Sequence, residues 1–437
     1  MSDRHFGHEM WLSRLADHLT EERYTAGTSR QCIAAARNFL SYLDKQRLDI
    51  RAAGRASVER YLQHARQIYR RRHGGPPDYR GWRCLHTNGI HMLLRLVQGQ
   101  WPPASLAATP AEILRAEIRG EYVRWMIGQR GLAQETVTRR CSEAGRFLEW
   151  LGQGKTRQEL ALLTRLDVDG FMKYRAGEVC RRSLKNVATD VRGFLQWLHT
   201  TQQTVGDLSR AVITPFVYAV ESIPSALRAE HVKQVLTVAR QDCTPKGIRD
   251  YAILVLISKY GLRSGEIRRL RLDDVDWRKE VIRIRHSKTG VTNWLPLLPE
   301  IGEALLKYLQ DSRPKTSSRE IFIRTRAPYR PFRSGSSLYS LVRYRLESAG
   351  VITTGKCGPH AFRHARAVSM LRAALPPKAI DDLLGHRAAD STAAYLKLVT
   401  EDLRAVALEI LTGMKAPPMS CSGACCCASM AWARTPA

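Results

Sequence analysis

Seven residues in the second half of the chain have the types and spacing that anion chemistry needs: Arg263, Glu266, Lys288, His360, Arg363, His386 and Tyr395. In KYGLRSGEIRRLRL, residues 259–272, an apolar run ends in a glycine, an arginine follows, and Glu266 stands three positions after Arg263. At that distance a carboxylate can hydrogen-bond a guanidinium and fix its plane; the same pair serves equally well as a structural ion pair. In CGPHAFRHARAVSMLRAAL, residues 357–375, Pro359 starts a helix and puts His360 and Arg363 on one face of its first turn. The positive end of the helix dipole reinforces them as an anion site. Metal ligation is the rival role for the histidine, but a permanent cation as its same-face partner would repel a metal. His364 and Arg366 read as surface residues or as residues facing a polyanion.

Lys288 lies where DWRKEVIRIRHSKTGVTNWLPL, residues 276–297, alternates, turns and returns, the pattern of a β-hairpin with a lysine at its tip. Such lysines commonly serve solubility, yet an extended ammonium is also suited to protonating a leaving alkoxide. Tyr395 follows His386 in LLGHRAADSTAAYLKL. Its ordinary role is core packing with the hydroxyl at an edge. A phenol with a pKa near 10 becomes a nucleophile only when cations surround it, and two arginines, two histidines and a lysine are candidates for that environment.

The elements that must position these groups divide the chain. We expect all-α helical bundles in the N-terminal half, followed by a mixed α+β, mainly helical domain with a small β-sheet. TSRQCIAAARNFLSYL (28–43) sets Ile33, Ala36, Phe39, Leu40 and Leu43 on one helical face, and TVTRRCSEAGRFLEWL (136–151) repeats that pattern. Prolines between residues 100 and 112 separate the copies, with Thr109-Pro110 able to start the next helix. The expected domains are 1–105, an additional and possibly duplicated helical bundle; 111–205, a second bundle; 206–224, a linker; 225–412, the domain carrying the chemistry; and 413–437, a disordered Cys-rich tail. RDYAILVLISKYG (249–261) should be a core helix that Gly261 ends in a left-handed cap. After Tyr395, Thr400 can cap a helix whose apolar face is Leu403, Val406, Leu408 and Leu411.

Lysine and arginine number 69 against 41 acids in 437 residues, a formal charge of +28 on a chain that is 44% hydrophobic. Such a chain folds and is attracted to polyanions. In the second bundle Arg181, Arg182, Lys185 and Arg192 stand opposite the stripe Leu184, Val187, Val191, Leu195 and Leu198, with Arg139 and Arg140 nearby. An ordinary solvated face looks similar, but the excess of one sign favours phosphate contact. With no apolar run of about 18 residues and a polar, charged N-terminus, a cytoplasmic protein with no membrane partner is expected. Six of the ten cysteines are scattered singly and read as reduced thiols, and the four in CSGACCC lack the paired spacing of a zinc site. No metal site is expected.

The order Arg263, Lys288, His360-x-x-Arg363, His386, Tyr395 resembles the tyrosine recombinase (phage integrase) family over about 111–412. YGLRSGEI resembles its first arginine box, GPHAFRHARA its His-x-x-Arg box, and LLGHRAADSTAAYLKL the stretch with the second histidine and the nucleophile. The gaps of 23 residues from Arg363 to His386 and nine from His386 to Tyr395 match the family's usual spacing. The resemblance implies a site-specific recombinase that cleaves and rejoins double-stranded DNA through a 3′-phosphotyrosyl link, in integration, excision or transposition of a mobile element. Residues 111–205 would be its core-binding domain. Arg263 and Arg363 would clamp the phosphate and Glu266 would orient Arg263. His360 would assist proton removal from Tyr395, His386 would donate to the phosphate, and Lys288 would protonate the leaving 5′-oxygen. No cofactor, ATP or metal is then needed, in keeping with the absence of a G-x-x-x-x-G-K-[ST] loop. The implied assembly is a homotetramer on paired sites, with other recombinases of the same element as possible partners. A type IB topoisomerase and a non-catalytic DNA-binding factor on the same scaffold are the alternatives. The extra N-terminal bundle and the Cys-rich tail depart from the common pattern.

Overall fold

The computed structural model describes residues 2–103, 109–152, 157–218, 226–286, 290–353, 355 and 357–385. Lys288, His386, Tyr395, the helix expected after it and the tail 413–437 lie outside the described residues. The chain divides near residue 222 into two compact units.

The first unit is helical and holds two hydrophobic cores. Helices α1 (Ser2–Glu21), α2 (Ala26–Lys45), α3 (Arg55–His73) and α4 (Tyr79–Gln98) enclose one. Thr25 caps α2 by accepting from the Thr28 N–H, one of the donors a helix start leaves unsatisfied. The buried stripe of α2 is Cys32, Ala35, Ala36, Phe39, Leu40 and Leu43, while Ile33 is only half-buried. The stripe turns towards Cys32 because α4 packs there through Gly89, where a Cβ would lie 2.1 Å from the Cys32 carbonyl oxygen. Helices α5 (Pro110–Gly128), α6 (Gln134–Trp150), α7 (Arg157–Ala161), α8 (Arg165–Glu178) and α9 (Arg181–Thr200) surround the other core, around Tyr122, Phe147, Phe171, Phe194 and Trp197. Thr109 and Glu112 exchange side-chain and backbone bonds at the start of α5, with Pro110 in its first turn. On α9 the apolar stripe contains a carboxylate, Asp190, which is buried.

The second unit is built on α11 (Pro245–Tyr260), whose residues Ala252–Ile257 are all essentially inaccessible. A helix apolar on every side is one that others must enclose. Its neighbours are α10 (Ala229–Gln241), α13 (Pro299–Lys307), α14 (Gly335–Ser348) and α15 (Pro359–Arg372), with α12 (Ser264–Arg269) and α16 (Pro377–Leu384) completing the described α-helices of this unit. One antiparallel sheet has the order β1 (Val275–Asp276), β2 (Val281–Arg285), β3 (Thr292–Pro296), with Ile282 opposite Leu295 and Ile284 opposite Asn293. The inward-facing residues of β2 are Ile282 and Ile284, as a period of two requires.

A buried ion network ties α11 to α14. Arg345 donates to Asp250 Oδ2 from Nε at 3.0 Å and from Nη2 at 2.9 Å, and to Asp242 Oδ2 at 2.7 Å. Arg249 donates to the other Asp250 oxygen at 2.7 Å. Asp250 has no exposed surface, so Arg345→Ala would strand part of its charge. We expect a loss of about 3–5 kcal/mol in urea unfolding. A loss below about 0.5 kcal/mol, the range of a surface substitution, would show that water replaces the arginine.

Candidate active site

Helix α11 delivers the first arginine. Gly261 closes it at φ +67°, ψ 30°, and its N–H donates to the Ile257 carbonyl. Glycine is required twice over, by the left-handed backbone and by Leu384, whose Cδ2 would lie 2.6 Å from a Cβ. Leu262 is buried, and Arg263 then takes the N-cap position of α12. Glu266 accepts the Arg263 backbone N–H at 2.7 Å through Oε2 and its Nη1 at 2.9 Å through Oε1. One carboxylate therefore fixes both the backbone and the head group of Arg263. Burial pushes the Glu266 carboxyl up, but donation from His286 and from Arg263 outweighs it and holds the group below its ordinary value.

Helix α15 delivers the second arginine. Gly358 precedes it with Tyr339 so close that a Cβ would lie 2.5 Å from the ring, and Pro359 occupies the first turn. His360 is exposed and its ring lies 6.2 Å from that of His364, one turn on. Arg363, one turn from His360 on the buried side, is 3% exposed. Its Nη1 donates to the Gly261 carbonyl and its Nη2 to the Leu384 carbonyl, each at 2.6 Å.

The end of α16 joins the two. Arg263 Nη2 donates to the Gly385 carbonyl at 3.1 Å, next to the Leu384 carbonyl that Arg363 uses. Two consecutive carbonyls at a helix C-terminus, its negative end, thus accept from the two guanidiniums. Gly385 allows this by ending α16 at φ +62°. Two guanidiniums converging on one helix end, one of them held in plane by Glu266, suit a dianion or a phosphodiester gathering charge.

Sequence reasoning brought out Arg263, Glu266, His360 and Arg363 and passed over His286. The imidazole is 1% exposed, and its Nδ1 lies 2.8 Å from Glu266 Oε1. Its signal was the alternation of VIRIRH: continuing the inward register of Ile282 and Ile284 places His286 on the core side. Among the described residues no group of three or more His, Cys, Asp or Glu could hold a metal ion.

The six basic residues of the second bundle separate into two sets. Arg181, Arg182 and Lys185 are exposed on α9. Arg139 forms an ion pair with Asp190, Arg140 Nε lies 3.7 Å from the same carboxylate, and Arg192 donates to Val212 O at 2.7 Å and Thr214 Oγ1 at 2.6 Å. Burial of Asp190 raises its pKa against the pull of Arg139 and Arg140. No helix among the described residues is long and apolar enough to cross a membrane.

The chain resembles known proteins in sequence and in fold. The phage integrase family matches residues 225–401. The putative integrase/recombinase y4gC of Sinorhizobium fredii (strain NBRC 101917 / NGR234) is 57% identical over 188 residues, which are 43% of this chain and 96% of that protein. Tyrosine recombinase XerA of Thermococcus kodakarensis (strain ATCC BAA-918 / JCM 12380 / KOD1) is 27% identical over 274 residues, 63% of this chain and 88% of its own. Among solved structures, a lambda integrase (75–356) dimer bound to a COC′ core site shares the fold, with a TM-score of 0.51 and 17% identity over 64% of this chain and 94% of that one. The chain belongs to the phage integrase family of tyrosine recombinases.

Proposed function

We propose that the protein is a site-specific DNA recombinase that cleaves and rejoins duplex DNA through a 3′-phosphotyrosyl intermediate, without ATP or a metal ion. The observation that carries this reading is the pair of guanidiniums held on consecutive carbonyls of α16, with Glu266 fixing the plane of one. The scissile phosphate binds between Arg263 and Arg363. Tyr395 attacks phosphorus through its phenolic oxygen, His360 assists removal of that proton, and His386 donates to a non-bridging oxygen. The bond from phosphorus to the 5′-oxygen breaks, and Lys288 gives the departing oxygen a proton. The attack gathers negative charge on the phosphoryl oxygens, so cations fixed beforehand favour the transition state over the ground state.

Arg181, Arg182 and Lys185 contact phosphates of the flanking duplex, and Arg139, Arg140 and Arg192 add charge to that region while anchored to their own unit. Four subunits assemble on two paired sites, alone or with other recombinases of the same element. A groove of about 380 Å³ between α10, α11 and α15, floored by Val232, Leu236 and Phe362 and rimmed by Lys233, Arg240 and Arg372, suits the segment 396–411 of a neighbouring subunit. That segment carries Leu403, Val406 and Leu408 beside the acids Glu401, Asp402 and Glu409.

A nicked duplex carrying the element's end, which on cleavage loses the short fragment that begins with the freed 5′-hydroxyl, tests the proposal. We expect an SDS-resistant protein–DNA adduct without added metal or ATP. Binding without an adduct would leave a non-catalytic DNA-binding factor, and steady relaxation of supercoiled DNA by the monomer would favour the topoisomerase alternative. At least ~6 phosphate contacts should give a log–log salt slope steeper than about −5, and a slope near zero would remove DNA as the partner.

A further inference from the structure

One buried imidazole, that of His286, touches both Glu266 on α12 and Gly385 at the end of α16. Its Nδ1 lies 2.8 Å from Glu266 Oε1, the same oxygen that accepts from Arg263 Nη1. An ionised carboxylate only accepts, so Nδ1 carries the hydrogen and donates. Its backbone closes the hairpin: His286 N–H donates to Val291 O at 2.8 Å, and Gly290 N–H donates to His286 O at 2.7 Å. Its ring covers Gly385, where a Cβ would lie 2.6 Å from both Cγ and Nδ1. Asn293 on β3 adds a second tie from the hairpin to α16, donating to the Asp382 carbonyl at 2.7 Å.

We propose that His286 is a positioning residue for strand cleavage, a single side chain that keeps Glu266, and through it Arg263, in register with hairpin β2–β3 and the C-terminal end of α16. This deepens the recombinase reading and rests on it. Glu266 is 4% exposed, and a buried carboxylate that loses one of its donors draws harder on those that remain. The remaining donors are the backbone and the head group of Arg263, so the loss is felt in the plane of that guanidinium. The ring lies against Gly385 where a side chain would otherwise stand, so it cannot move towards α16 without displacing the residue that precedes His386. An error of about 1 Å in such a group costs on the order of 10²-fold in rate.

The test compares single-turnover cleavage of the nicked duplex with equilibrium binding of the intact site, for the full-length protein and three variants. His286→Phe keeps a ring and removes the donor. His286→Asn places an amide nitrogen where Nδ1 stands, and His286→Gln places one where Nε2 stands. We expect His286→Phe to bind within about threefold of wild type and to cleave on the order of 10²-fold more slowly. His286→Asn should recover at least about tenfold of that loss, and His286→Gln should not. Should His286→Phe fail to fold, the Asn and Gln pair decides alone, with thermal melting to show that both are folded. Equal rates for Asn and Gln, or cleavage by His286→Phe at the wild-type rate, would overturn the positioning role. If wild type itself forms no adduct, the recombinase reading fails and the positioning role falls with it.

Discussion

Arg263→Ala is expected to slow single-turnover cleavage by about 10²–10³-fold while leaving the folded protein nearly as stable as wild type. The side chain is partly exposed, and Glu266 keeps its bonds from His286 and from the Arg263 backbone when the guanidinium is removed. The effect should fall on the chemical step, since the charge it stabilises develops only as the phenol attacks. Arg363→Ala should behave differently. That guanidinium is 3% exposed and links the Gly261 and Leu384 carbonyls, so its loss leaves two buried acceptors unsatisfied and unties α15 from α11 and α16. We expect at least about a 10³-fold loss of rate together with a cost of ~1–3 kcal/mol for each carbonyl left bare. Rate measurements paired with urea unfolding separate the two. A stability loss in Arg263→Ala as large as in Arg363→Ala, or a rate loss in neither, would contradict the division of labour drawn here.

The contrast between these arginines was only partly legible in the sequence. That Arg263 and Glu266 would meet followed from their spacing at a helix start, and the structure has them bonded at 2.9 Å. That Arg363 would be buried did not follow, because its burial is set by the remote carbonyls of Gly261 and Leu384, 102 and 21 residues away. Gly261 was readable as a helix cap from its place after an apolar run, but its close contact with Leu384 was not. The hairpin was legible from alternation, whereas the inward register that makes His286 a partner of Glu266 emerges only once Ile282 and Ile284 are seen in the core. Likewise the basic residues of α9 were plain in the sequence, while Asp190, which engages Arg139 and Arg140, sat unremarked inside the apolar stripe. Local pattern reaches across a turn or a strand. The pairings that join α11, α15 and α16 depend on tertiary contact, and for the sheet alternation gives the face of His286 but not its partner.

Tyr395→Phe carries the largest expected effect of all: complete loss of the covalent adduct with site affinity within about twofold. Phenylalanine fills nearly the same volume and deletes only the oxygen that would bond to phosphorus, so nothing else in the proposed site changes. The cations argued to activate that phenol, Arg263 and Arg363 foremost, would remain and continue to hold the phosphate. A neutral packing role for Tyr395 would instead predict an unchanged adduct yield. The most direct measurement traps the wild-type adduct on the nicked duplex, digests the protein, and identifies by mass spectrometry the residue joined to the 3′-phosphate. The account predicts one linked peptide, spanning Tyr395, and none from Tyr395→Phe. A peptide linked through any other residue, or an undiminished adduct in Tyr395→Phe, would contradict it.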